Sequence, residues 1–122
     1  MKLQIILEKE GGILWGRVSY KKELIVDSAT TLPTLEKKLK KIFQNFYDLE
    51  NIQFDYTYDL TVFFEEFSFL NQSKIAELSG INPGLLRQYA SGVKNPSKEQ
   101  ANKIQTSIRD LADKLRTIKI SA

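Results

Sequence analysis

Two short helices joined by a tight turn are predicted by residues 70–97, LNQSKIAELSGINPGLLRQYASGVKNPS. Asn71 suits the N-cap of the first helix, because its side-chain oxygen accepts a hydrogen bond from a free first-turn amide. Gly80 stands where that helix must end, and glycine enters the left-handed region without steric cost. Asn82 followed by Pro83 starts the second helix, since proline lacks only an amide that the first turn leaves unbonded.

The apolar residues of this segment indicate which surfaces are buried. Leu86 and Tyr89 are three positions apart, so both are expected on the inner side of the second helix. Arg87 and Gln88 are left on the outside, and Gly92 ends the helix. The residues predicted to be buried in the two helices and the turn are Ile75, Ala76, Leu78, Ile81, Leu86 and Tyr89.

This segment resembles the helix-turn-helix of the phage-repressor (Xre-like) class of DNA-binding proteins. The residues that carry the resemblance are, in order, Gln72, Ala76, Gly80, Ile81, Leu86, Gly92 and Pro96. The stretch GINPGLLRQYASG, followed by a basic residue and then Pro-Ser, is similar to the C-terminal domain of HicB-family antitoxins. The resemblance implies an all-α, lambda-repressor-like domain that binds double-stranded DNA as a homodimer.

The same resemblance implies which residues contact DNA. A helix in the major groove contacts bases with side chains from its N-terminal half and outer face. Gln88 would take adenine through its amide, and Arg87 would take guanine or a phosphate. Lys94 and Lys98 would contact phosphates, although each lysine alone is equally typical of a solvated surface. The implied DNA-binding residues are Asn71, Gln72, Asn82, Gly84, Leu85, Arg87, Gln88, Lys94 and Lys98.

Residues 1–58 predict a β-β-β-α-β domain, in which one helix lies on a small antiparallel sheet. The predicted strands are Lys2–Glu8, Ile13–Tyr20, Leu24–Ser28 and Ile52–Tyr58. The helix before the last strand has its predicted buried stripe at Leu35, Leu39, Ile42, Phe46 and Leu49. Trp15 is expected to pack in the core or at an edge. A solvated basic face is favoured over a binding surface for Lys37, Lys38, Lys40 and Lys41.

The element order resembles the N-terminal domain of HicB antitoxins, a partial ribonuclease-H-like fold that masks a small mRNA-interferase toxin. That family carries Pro-Gly-Cys and later Gly-Asp-Thr where this chain has SYKKELIVDSATTLPTLE. The helix-turn-helix segment and the element order make a HicB-like type II antitoxin that represses its own promoter the first hypothesis. The alternative is a stand-alone helix-turn-helix regulator, whose N-terminal domain serves dimerisation or ligand sensing and binds no toxin.

The remaining residues complete an α+β protein with an expected domain boundary between 58 and 59. Asp59–Phe69 is predicted to be the first helix of the DNA-binding domain. Ser97, with Gln100 three positions later, begins the last helix with a capping box. Its stripe either closes the domain core or pairs two chains, and consists of Ala101, Ile104, Ile108, Leu111 and Leu115. Thr117–Ile120 (TIKI) is expected to add an edge strand to its own sheet or to a second subunit.

The amino-acid composition excludes several kinds of functional site. The 122 residues include no cysteine and no histidine, which excludes disulfides, Cys/His zinc sites and histidine acid–base catalysis. Three acids, Glu8, Asp27 and Asp55, lie near strands of the predicted sheet. Because they alternate with apolar residues, they are expected to face solvent. Neither catalysis nor a metal or other cofactor is therefore expected. No signal peptide or membrane span is apparent, and a cytoplasmic protein is expected. The net charge of +3 allows a polyanionic partner.

Overall fold

The elements follow the order β-β-β-α-β-α-α-α-α in the computed structural model, which describes residues 1–122. The strands are β1 (Lys2–Glu10), β2 (Ile13–Tyr20), β3 (Glu23–Ala29) and β4 (Gln53–Tyr58). The helices are α1 (Leu32–Tyr47), α2 (Leu60–Glu66), α3 (Gln72–Ser79), α4 (Pro83–Ser91) and α5 (Lys98–Thr117). The chain is an α+β protein that divides into two compact units, 1–65 and 66–122. None of the helices combines the length and apolar character needed to cross a membrane.

The four strands form one sheet in the order β3-β2-β1-β4. Strands β1, β2 and β3 pair antiparallel, whereas β4 pairs parallel to β1, with Leu3 opposite Phe54. The expectation of a purely antiparallel sheet is therefore wrong. A helical crossover returns the chain in its original direction. Because α1 makes such a crossover after β3, β4 runs parallel to β3 and hence to β1.

Helix α1 covers one face of this sheet along a line of residues four positions apart. Leu35, Leu39 and Phe43 are all fully buried, and the Tyr20 ring of β2 packs edge-on against Phe43 at 5.8 Å. Phe46, which the sequence placed in the buried stripe, is 79% exposed. The helix meets the sheet along its i, i+4 ridge, which is inclined to the helix axis, so the contact line rotates away from residue 46.

Gly16 in the middle of β2 allows α1 to approach the sheet closely. A Cβ atom at this position would lie 2.9 Å from Ile5 Cδ1 and 3.0 Å from Leu35 Cδ2. Any side chain here would have to displace the core residues above it. The glycine is therefore a packing residue.

The opposite face of the sheet carries exposed apolar side chains. Side chains alternate between the two faces of a strand. Leu14 and Val18 point toward α1, so Trp15 between them points the other way and is 42% exposed. The expected core or edge position of Trp15 is therefore wrong. On neighbouring β3, Val26 and Leu24 are 47% and 61% exposed.

Helix α2 ends earlier than expected and contributes to the sheet core. Asp59 caps it by accepting a hydrogen bond from the Val62 amide at 2.9 Å, and the Asp59 amide donates to the Leu7 carbonyl at 3.0 Å. Val62 is 2% exposed and belongs to the core of the sheet unit. The division between the two units consequently falls after Glu65, seven residues beyond the expected boundary, and only α3, α4 and α5 lie wholly in the second unit.

The second unit is held together by contacts of α3 with α4 and α5. Ile104 is 1% exposed on the inner side of α5. The Ser79 hydroxyl on α3 donates to the Ile75 carbonyl at 2.7 Å and lies 3.0 Å from the Ser107 hydroxyl of α5.

Two parts of the second unit lie outside this packing. Leu78 on α3, which the sequence predicted to be buried, is 57% exposed. Residues 118–122 form no strand in the sheet of their own chain, which leaves pairing with a second subunit as the prediction for this tail.

Candidate nucleic-acid interface

Helices α3 and α4 begin and end at the residues that the sequence indicates. The Asn71 side-chain oxygen accepts a hydrogen bond from the Lys74 amide at 3.1 Å and caps α3. Gly80 ends α3 with a φ of 70°, and Ile81 in the connection is 5% exposed. Gly92 ends α4 with a φ of 83°. Each of these local predictions is confirmed.

Asn82 caps α4 with two hydrogen bonds. Its side-chain oxygen accepts from the Gly84 amide at 2.8 Å and from the Leu85 amide at 3.3 Å. Pro83 occupies the first turn, where its missing amide costs nothing. Because these amides are bonded within the chain, contacts to a ligand from this end of α4 depend on side chains. For Asn82 itself, the side-chain nitrogen is the group left for such a contact.

Replacing Asn82 with alanine is expected to lower the free energy of unfolding by about 1 kcal/mol, because two first-turn amides lose their acceptor. Asn82→Asp should retain the cap, since a carboxylate oxygen accepts the same bonds. The exposed Asn95 in the following loop provides a control, and Asn95→Ala should change stability by less than about 0.5 kcal/mol. Denaturant unfolding followed by far-ultraviolet circular dichroism measures all three, and equal effects at the two positions would contradict the capping role.

One face of α4 packs in the unit and the other is exposed. Leu86 is fully buried and Tyr89 is 6% exposed, whereas Arg87 and Gln88 are both exposed. Leu85, predicted to face DNA, is half-buried and leaves part of its side chain accessible. The exposed face of α4 thus presents one cation and one carboxamide side by side.

Positive charge on this part of the chain is uncompensated. Residues 78–98 contain no aspartate or glutamate. Arg87, Lys94 and Lys98 are exposed and form no ion pair within the chain. By contrast, the two lysines on either side of this segment are neutralised, since Lys74 pairs with Glu77 at 3.4 Å and Lys103 with Glu99 at 3.9 Å. A local field of three free cations attracts a polyanion.

The loop after α4 brings one of these cations back to the helix. The amides of Val93 and Lys94 donate to the Gln88 carbonyl at 3.0 and 3.2 Å. The Lys94 backbone therefore lies beside the last turn of α4. At the other end, a guanidinium nitrogen of Arg87 lies 3.8 Å from the position that a Cβ atom on Gly84 would occupy. The Arg87 guanidinium therefore lies near the N-terminal end of α4, and the Lys94 backbone lies near its C-terminal end.

The predicted site residues fall into three groups. Asn82, Gly84, Leu85, Arg87 and Gln88 lie together on α4 and its cap, and Lys94 lies at its end. Lys98 is the first residue of α5. Asn71 and Gln72 lie at the start of α3, where Gln72 is half-buried and the Asn71 oxygen is occupied by the cap. Val93 and Asn95, on either side of Lys94, are also exposed.

The three strand acids of the first unit do not converge. Glu8 pairs with Arg17 at 2.7 Å and Asp55 with Lys2 at 3.9 Å on one face of the sheet. Asp27 lies on the α1 face and pairs with Lys38 at 2.9 Å. Burial raises the pKa of Asp27, but hydrogen bonds from Lys38 and the Ser28 amide, with the charge of Lys38, bring it below its ordinary value. No group of three or more potential metal-ligating side chains occurs in the structure.

One lysine on the basic side of α1 forms bonds within the first unit, and the other three are exposed. Lys38 bonds to Asp27 and to the Ser28 carbonyl, while Lys37, Lys40 and Lys41 are exposed. On the same helix, Glu36 accepts a hydrogen bond from the Tyr56 hydroxyl of β4. Burial together with this bond raises the pKa of Tyr56 to about 12.

Comparison of the chain with protein-family models, with characterised proteins and with solved structures finds no match.

Proposed function

We propose that this protein is a sequence-specific DNA-binding transcriptional repressor that acts as a homodimer. In this proposal α3 and α4 form a helix-turn-helix, and the exposed face of α4 enters the major groove. The observation that carries the proposal is the acid-free segment 78–98, in which Arg87 on α4, Lys94 in the following loop and Lys98 at the start of α5 are exposed and unpaired. A repressor of this kind acts in the cytoplasm, where the promoter is found.

Each exposed group has a distinct proposed role. The Gln88 carboxamide donates and accepts at one edge of a base, which matches adenine in the major groove. The Arg87 guanidinium matches guanine or a backbone phosphate. Lys94 and Lys98 contact phosphates, which fixes the position of the helix without reading sequence. The accessible part of Leu85 suits the methyl group of thymine.

We further propose that the first unit gives the protein the role of a HicB-like antitoxin. Its β-β-β-α-β order supports a partial ribonuclease-H-like fold, and its exposed sheet face with Trp15, Leu24 and Val26 suits a small protein partner. Contiguous exposed apolar patches on a protein surface often mark sites of protein–protein interaction. Toxin masking and promoter binding then reside in different units.

The absence of the Pro-Gly-Cys and Gly-Asp-Thr elements favours a second candidate. In that candidate the protein is a helix-turn-helix regulator without a toxin. A short gene encoding a toxin next to the promoter separates the two, because only the antitoxin hypothesis requires it.

The test is binding of the purified protein to a duplex from its own promoter and to a scrambled duplex across a salt series. Lys94 and Lys98 of each chain give four phosphate contacts in a dimer, so the logarithm of the binding constant should fall with the logarithm of salt with a slope of about −4, or about −5 where Arg87 also contacts a phosphate. Promoter binding should be at least about 1,000-fold tighter than scrambled binding. Equal and weak binding to both duplexes would refute the repressor function.

A further inference from the structure

Helix α1 of the first unit carries positive charge that its own chain does not neutralise. No aspartate or glutamate occurs between residues 37 and 47. Lys37, Lys40 and Lys41 are exposed and form no ion pair, whereas Lys38 pairs with Asp27 at 2.9 Å. Because positions three and four apart share one side of a helix, the three free lysines form one continuous surface, which we call the lysine face.

The carboxylate closest in sequence to this face is bonded elsewhere. Glu36 stands four residues before Lys40, which is the spacing of a helical ion pair, but it accepts a hydrogen bond from the Tyr56 hydroxyl of β4 instead. Lys37 stands three and four residues before Lys40 and Lys41, and like charges at these spacings repel each other. The lysine face is therefore a self-repelling surface that an external polyanion would stabilise.

The lysines are not placed where they would stabilise their own helix. Acids in the first turn and cations in the last turn are favoured by the helix dipole. Helix α5 follows this rule, with Glu99 in its first turn and Lys114 and Arg116 in its last. Helix α1 has no acid in its first turn and no cation in its last. The charge on its middle turns thus points to an anion outside the chain, although the sequence alone favours a solvated face.

A cavity of about 480 Å³ adjoins the lysine face, and Lys40 lines it together with the connection between α1 and β4. The Leu49 amide donates to the Phe43 carbonyl at 3.1 Å and so holds this connection against α1. Asp48 and Asn51 have φ values of 56° and 55°, in the left-handed region that aspartate and asparagine adopt more readily than most residues. The wall of the cavity is therefore formed by local bonds and backbone geometry, without a ligand.

The size and lining of the cavity suit one nucleoside. Sites for small molecules commonly measure about 300–1,000 Å³ and combine apolar walls with a few polar groups. Leu49 and Ile52 supply apolar surface, while the Asn51 carboxamide and the Glu50 carboxylate can bond to the edge of a base. Since Lys40 belongs both to the cavity and to the lysine face, a phosphate bound there brings its own nucleoside to the cavity.

We propose that α1 binds single-stranded nucleic acid, with backbone phosphates on Lys37, Lys40 and Lys41 and one base in the cavity beside Asn51. A single strand is required because the bases of a duplex are stacked and paired, and only an unstacked base can enter a cavity. The site lies wholly in the first unit. It is separate from the promoter contacts proposed for α4 and does not depend on them.

Fluorescence anisotropy of a labelled DNA strand of mixed sequence, on the order of ten nucleotides long, tests the lysine face. The triple variant Lys37→Gln, Lys40→Gln and Lys41→Gln should bind the strand at least about tenfold more weakly at low salt. Its salt slope should be smaller by about 2, because each phosphate contact on a single strand contributes about 0.7. All three side chains are exposed, so the variant should unfold at the same urea concentration as the wild type or a higher one.

The matched control removes three positive charges from exposed, unpaired residues of the second unit: Arg109→Gln, Lys114→Gln and Lys119→Gln. This control should bind the strand as the wild type does. An equal loss in the α1 variant and the control would overturn the proposal, because net charge alone would then explain the binding.

An abasic strand of the same length tests the cavity, since it keeps the phosphates and lacks the bases. The wild type should bind it at least about fivefold more weakly than the normal strand, which is the effect of losing about one base-edge contact. Asn51→Asp keeps a residue that tolerates the left-handed backbone but cannot donate to a base, so this difference should largely disappear. Asn102→Asp adds the same charge on α5 and should retain it. Equal binding of both strands by the wild type would overturn the assignment to single strands.

Failure of this proposal is distinguishable from failure of the repressor function. The α1 triple variant should lose the single strand and keep its promoter affinity, whereas removing Arg87 and Gln88 should do the reverse. A wild type that binds the strand through α1 but ignores its promoter would refute only the repressor function. An α1 variant that loses the promoter duplex as strongly as the single strand would overturn the proposal and assign the lysine face to duplex DNA.

Discussion

Phe43→Ala is expected to lower the free energy of unfolding of the 1–65 unit by about 3–5 kcal/mol, whereas Phe46→Ala should cost less than about 0.5 kcal/mol. The two residues are identical in type and three positions apart on α1. Phe43 is fully buried and Phe46 is 79% exposed. Deleting the buried ring loses its transfer free energy and leaves a cavity beneath Tyr20, while deleting the exposed ring loses neither.

The only tryptophan makes this comparison straightforward. Trp15 lies on β2 in the same unit, so its fluorescence in urea follows the unfolding of the sheet and α1. A lower urea midpoint with an unchanged slope would show a change in stability alone. Equal losses for the two variants, or a larger loss for Phe46→Ala, would mean that α1 packs through the stripe of Ile42 and Phe46 that periodicity predicts.

The double variant Arg87→Ala and Gln88→Ala is expected to weaken promoter binding by about 100-fold or more. Each bidentate contact to a base contributes about 1–3 kcal/mol of discrimination, and a factor of ten corresponds to about 1.4 kcal/mol. Both side chains are exposed, so the free energy of unfolding should change by less than about 0.5 kcal/mol. Binding isotherms with promoter and scrambled duplexes, alongside urea unfolding, separate the two effects.

The matched control removes the same two types of side chain elsewhere. Arg109→Ala on α5 and Gln44→Ala on α1 both alter exposed positions outside the candidate interface. This control should bind the promoter as the wild type does. A loss of affinity as large as that of the Arg87 and Gln88 variant would show that α4 does not make the specific contacts. If the Arg87→Ala and Gln88→Ala double variant unfolded, the orientation of α4, with both side chains exposed, would be contradicted.

Local chemistry explains how much of the second unit could be predicted. Asn71, Gly80, Asn82 and Gly92 act on amides and carbonyls within four residues of themselves, so their roles are apparent in the sequence. The same is true of Leu86 and Tyr89, whose burial follows from helical periodicity. Whether Arg87 forms an ion pair depends on residues that are near it in space but can be distant in sequence. This property of the candidate site could therefore not be predicted from the sequence.

Long-range geometry explains the errors in the first unit. The direction of β4 depends on the path of the α1 crossover. Nothing in the sequence of β4 itself indicates which strand it pairs with or in which direction. Phe46 lies within the apolar stripe by periodicity but outside the inclined line along which α1 meets the sheet. Side chains alternate along β2, so Trp15 must lie on the face opposite Leu14 and Val18. Because Leu14 and Val18 point toward α1 and fill the core, Trp15 is exposed.

The two-sided character of α4 has a consequence for how such proteins diversify. Leu86 and Tyr89 maintain the fold from one side of a nine-residue helix, while Arg87 and Gln88 on the other side contribute little to it. After gene duplication, a copy with the proposed DNA-binding function can acquire a new target sequence through changes at these two codons, while selection on its scaffold is unchanged. Lineages of such proteins should accumulate substitutions at 87 and 88 faster than at 86 and 89.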